Sequence, residues 1–80
     1  MTKKEQEARA LRGLFGERLK LARERAWLSQ KGLACEAGLP EVISRYECGD
    51  RLPSLRNLCR LADTLKVSAD YLLGRKKGIK

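Results

Sequence analysis

Apolar positions recur at helical spacing along most of the chain, and no stretch alternates with period two over strand length. Phe15, Leu19, Ala22 and Ala26 make the first stripe and predict a helix over 14–26. Leu11 and Ala8 carry the stripe backwards, so this helix can begin earlier, at a cost of about 1 kcal/mol for each of Gly13 and Gly16. Leu14 and Leu21 lie off the stripe and suit either the lower side of the core or a partner surface. Ser29 is a favoured N-cap and predicts a second helix over 30–37, with Leu33, Ala34 and Ala37 inward and Gly38 just past its end. Pro40 suits a first helical position and predicts a third helix over 40–47, with Ile43 and Tyr46 inward. Ser54 predicts a fourth, whose Leu55, Leu58, Leu61, Ala62 and Leu65 give the cleanest amphipathic pattern. Ser68 caps a short fifth helix over 69–73, which Gly74 ends. The fold class is therefore all-α, with five helices.

The length of 80 residues suits one small domain. Hydrophobic residues at 42% and charged residues at 35% fit a globular chain rather than a disordered or membrane-embedded one. No apolar run approaches the ~20 residues of a membrane span. The opening MTKKEQEARALRG lacks the apolar core of a secretory signal. The expectation is a soluble, cytoplasmic protein with no membrane partner. Aromatics at 5% are sparse for a β-sandwich or a single-strand stacking module.

Charge sharpens the picture. The net charge of +8 points to a polyanionic partner, nucleic acid ahead of an acidic membrane. Residues 1–30 hold eight Lys/Arg against four Glu, and residues 54–80 hold seven against two acids. Residues 31–53 hold three against four, so the middle is slightly acidic. Cys35, Cys48 and Cys59 are scattered, with no CxxC pair and no histidine anywhere in the chain. This predicts reduced thiols, no disulfide and no metal site. No nucleophile stands beside a recognisable base, so we expect neither a catalytic residue nor a cofactor.

Two short helices, 30–37 and 40–47, joined within three residues around Gly38, have the shape of a helix-turn-helix. Ala34 permits close crossing. The pieces RLKLARERAWLSQ, GLACEAG, ISRYECGDRLPS and LRNLCRLADTLKVSADYLLG, in this order, make residues 15–74 resemble the DNA-binding domain of phage repressors and Cro, the Xre-like regulators. That resemblance implies a five-helix, lambda-repressor-like domain over 14–74, with an N-terminal extension over 1–13 and a basic tail over 75–80. It implies that Gln30 binds a DNA phosphate and that Arg23 and Glu47 pair to brace the first helix against the third. The base-reading face becomes Glu41, Val42, Ser44 and Arg45. Arg45 suits guanine, Glu41 cytosine N4 and Val42 a thymine methyl, while Ser44 suits either base or phosphate. Arg51 and Arg56 become phosphate contacts, which position a protein without specifying sequence.

The chain departs from the family pattern at four places. The turn before Ile43 is one residue short, and Leu39 is a poor cap. Glu41 puts a carboxylate where phosphate is near, and Cys48 and Asp50 stand where the family is often basic. Trp27 occupies a position often held by Gly or Asn. Two functions follow from the resemblance. One is a sequence-specific double-stranded DNA-binding transcriptional regulator, a repressor acting as a homodimer. The other is a protein-interaction module of the same fold, an antitoxin or adaptor with a protein partner and weak DNA binding.

Overall fold

The computed structural model describes residues 2–77. They form five helices: α1 (Lys3–Arg25), α2 (Gln30–Ala37), α3 (Ile43–Glu47), α4 (Leu55–Leu65) and α5 (Ala69–Leu72). Among the described residues there is no strand. Residues 78–80 of the basic tail lie outside the described residues.

Helix α1 starts well before residue 14. Thr2 caps it, its hydroxyl accepting from the Glu5 amide at 3.2 Å. Its apolar stripe reaches the core only from Phe15 onwards, through Leu19 and Ala22. Ala8 is half-buried and Leu11 exposed, so residues 3–11 add helix without adding core. Leu14 is half-buried against Gly74, and Leu21 is exposed.

Helix α1 packs on α3 and α5, α2 on α3 and α4, and α4 on α5. The closest approach is at Gly16. A Cβ there would lie 2.5 Å from the Tyr46 carbonyl oxygen and 2.7 Å from that of Glu47, so only glycine lets α1 lie against the end of α3. Phe15 meets the Tyr46 ring edge-on, with centroids 5.9 Å apart. The Tyr46 hydroxyl accepts from Asn57 Nδ2 at 3.4 Å, which ties α3 to α4.

Serines 29, 54 and 68 cap α2, α4 and α5, each accepting an amide three residues on. Two expectations change. The third helix begins at Ile43, not Pro40. Its N-cap is Val42, which offers no side-chain hydrogen bond, and Leu39 has no oxygen to cap with. Residues 39–42 therefore form a non-helical turn, and α3 is only five residues long. Leu55 is 82% exposed instead of inward, because it stands at the first position of α4, ahead of the buried Leu58, Leu61, Ala62 and Leu65.

Candidate nucleic-acid interface

The local chemistry of α2 fixes where α3 can go. Gly38 closes α2 in the left-handed conformation at φ 69°. The Leu39 amide then donates back to the Ala34 carbonyl at 2.8 Å and the Gly38 amide to that of Cys35 at 3.2 Å. The buried Ala34 and Ala37 leave room for α3 to cross close by. Within α3, Ile43 and Tyr46 point into the core, so Ser44 and Arg45 between them face solvent. Between the starts of the two helices lies a cleft of about 180 Å³, lined by Gln30, Lys31, Ala34, Glu41, Ile43 and Ser44.

The far end of α3 is fastened by ion pairing. Arg23 Nε donates to Glu47 Oε2 at 2.6 Å and Arg23 Nη2 to Oε1 at 3.1 Å, a two-pronged contact. Both side chains are mostly buried, at 12% and 6% exposure. Arg23 Nη1 also donates to the Leu28 carbonyl at 2.8 Å, so one guanidinium joins α1, the α1–α2 loop and α3. Hydrogen bonding to the Glu47 carboxylate raises the Arg23 pKa above its ordinary value, against the opposing pull of burial.

Gln30, expected as a phosphate ligand, has a partner inside the protein: its Nε2 donates to Glu47 Oε1 at 3.1 Å. The amide has a second N–H and a carbonyl oxygen besides this bond. Glu41, Ser44, Arg45, Arg51 and Arg56 are all exposed. Val42 is not. It is 8% exposed and belongs to the core, because the short turn draws it inward as the residue before α3, so it presents no methyl surface to a groove.

The loop after α3 folds back on that helix. The Asp50 amide donates to the Arg45 carbonyl at 3.0 Å, and the Cys48 thiol contacts the same oxygen at 3.4 Å. Arg12 Nε donates to the Gly49 carbonyl at 3.2 Å, an anchor that the charge pattern of residues 1–13 did not announce. Sequence reasoning also missed Arg18. Its Nη1 donates to the Lys76 carbonyl at 2.8 Å and its guanidinium lies over the Tyr71 ring at 4.8 Å, holding α5 and the residues just after it against α1. All three cysteines are exposed and unbridged. Among the described residues, no group of acidic, Cys or His side chains is placed to hold a metal, and no helix is long and apolar enough to cross a membrane.

Known proteins are similar to this chain in sequence and in fold. A family described as helix-turn-helix matches residues 19–72. The cryptic phage CTXphi transcriptional repressor RstR of Vibrio cholerae is 38% identical over 60 residues, covering 74% of this chain and 54% of that protein. The HTH-type transcriptional regulator ImmR of Bacillus subtilis is 39% identical over 62 residues, covering 76% and 49%. The chain thus spans about half the length of the curated relatives it matches. Two solved structures superpose with a TM-score of 0.74, each over 79% of this chain and 97% of theirs. One is the restriction-modification controller protein C.AhdI from Aeromonas hydrophila, 36% identical. The other is the P22 c2 repressor in complex with a synthetic operator, 34% identical.

Proposed function

The chain belongs to the Xre-like helix-turn-helix family, and on that basis we propose that it binds double-stranded DNA sequence-specifically and represses transcription from the site it occupies. The observation that carries this reading is an exposed Ser44–Arg45 face on a helix fastened from behind by the Arg23–Glu47 pair. A fixed helix with an outward arginine suits major-groove reading, where Arg makes two hydrogen bonds to guanine. Ser44 and Glu41 border the same cleft and complete the base-reading set, Glu41 towards cytosine N4. Arg51, Arg56 and the unused amide hydrogen of Gln30 take phosphates, while Glu47 keeps Gln30 in place.

In this reading the protein acts as a homodimer on a two-fold operator, with half-sites about 34–36 Å apart. It works in the cytoplasm, without catalysis. The operator is found by selecting bound duplexes from a random pool. On the selected duplex, Arg45→Ala costs about 1–3 kcal/mol of discrimination at one base pair while non-specific binding stays nearly unchanged. Arg51→Ala weakens all sequences alike and lowers the log–log salt slope by about 0.9. Duplex binding that does not depend on salt, or no enrichment from the pool, overturns the reading and favours a protein partner.

A further inference from the structure

Trp27 ends α1 in the left-handed conformation, at φ 59°. The backbone around it closes the helix in a regular way. Its amide donates to the Glu24 carbonyl at 3.0 Å and the Leu28 amide to that of Arg23 at 3.2 Å. The same paired closure ends α2 at Gly38 and α3 at Gly49, where glycine adopts the positive φ without penalty. At Trp27 the bulkiest side chain takes that strained place and is 94% exposed. Neither the core nor the helix end gains from the indole.

The position of this loop is closely defined. Arg23 reaches the Leu28 carbonyl with one nitrogen and Glu47 at the end of α3 with two others. The Trp27 loop and the groove-facing helix are therefore held by one side chain. Two residues further on, Ser29 caps α2, and Gln30 and Lys31 line the cleft. Arg25 and Lys31 bracket the indole in sequence, and both are exposed. A projecting indole on a loop that also carries exposed cations, two residues before the cap of α2, suits the sugar–phosphate backbone flanking the groove. An indole in such a place can cover a deoxyribose and donate its N–H to a phosphate oxygen.

We propose that Trp27 is a DNA-backbone contact, a further point of docking held in register with α3 by Arg23. The proposal rests on the DNA-binding reading above. Trp27 is the sole tryptophan, so it reports on itself. In a titration of the whole chain with a short mixed-sequence duplex at low salt, its emission shifts and quenches in step with the anisotropy of a labelled duplex. Trp27→Gly removes the left-handed strain, so it melts no lower than the parent. It nevertheless binds the same duplex about fivefold to tenfold more weakly, the loss expected for uncovering part of an indole. Its salt slope stays within the ~0.9 units of a single ionic contact, because the lost contact is uncharged.

Anisotropy that saturates while the emission stays fixed overturns the proposal and leaves DNA binding intact. Equal affinity of the Trp27→Gly variant does the same. An emission shift driven by protein concentration alone, without DNA, also overturns it and assigns the indole to contact between copies of the chain. If no duplex binds at low salt, the DNA-binding reading fails and takes this proposal with it.

Discussion

Helix α2 carries its own ends, with Ser29 accepting an amide at the start and Gly38 turning left-handed at the finish. Helix α3, its partner in the proposed reading head, has five residues and an N-cap that makes no side-chain bond. Its position comes from elsewhere: the bare backbone of α1 at Gly16, the Phe15 ring, the Arg23 guanidinium and the Asn57 amide. Residues next to it in sequence define both ends of α2, whereas α3 is closed locally only at Gly49 and owes its start and placement to residues brought in from α1 and α4. An isolated five-residue helix is unstable in water, so α3 exists because its surroundings require it. Of the two, the helix that presents Ser44 and Arg45 is thus the one with less structure of its own.

The dependence of α3 on α1 is greatest at Gly16. Gly16→Val forces a side chain into the carbonyls of Tyr46 and Glu47. We expect a loss of about 3 kcal/mol, seen as a large drop in melting temperature. A loss no greater than that of an ordinary helix cap would mean that α1 does not hold α3.

Next comes the ion pair. Glu47→Ala strands a mostly buried guanidinium and frees Gln30. The expected cost is about 2–3 kcal/mol, below the full range for a completely buried pair, because the Arg23 head keeps some access to water. Denaturant unfolding measures it. A double-mutant cycle with Arg23→Met isolates the coupling, and zero coupling would remove the bracing role.

The smallest effect falls on α2. Ser29→Ala removes one cap and costs about 1 kcal/mol. Hydrogen exchange should quicken at the Gly32 amide, which loses its acceptor, while the amides of α3 exchange as before. Faster exchange in both helices would show that α3 depends on the end of α2 as well.

This division explains what could be read from the sequence. The start and end of α2 and the serine caps of α4 and α5 are local signals, legible in single residues. Pro40 gave a local signal too, for a first helical turn, and it misled. The short turn spends residues 39–42 on reaching the core, and Val42 is drawn inward to fill it. The presence of Leu55 in an apolar stripe did not say that the stripe begins a turn later. At the candidate interface, the outward Ser44 and Arg45 follow from the inward Ile43 and Tyr46 on either side. The two jobs of Arg23, and the tethering of Gln30 by Glu47, join residues distant in sequence and carry no local mark. Trp27 did leave a trace: the family resemblance puts Gly or Asn at this position, residues that tolerate the positive φ found there.

Helix α1 has a different kind of consequence along its length. Its 23 residues run about 34 Å, close to the longest dimension of the molecule at 37 Å. Its buried residues all lie between Phe15 and Ala22, and Arg12 makes a bond across to the loop after α3. One continuous helix therefore spans two regimes of time. Its first turns open and reclose by fraying, on the scale of local helix–coil exchange. The amides near Leu19 and Ala22 open only when the whole domain does. A protease sampling the protein would meet a soft end and a hard end of the same rod, with the border near Arg12.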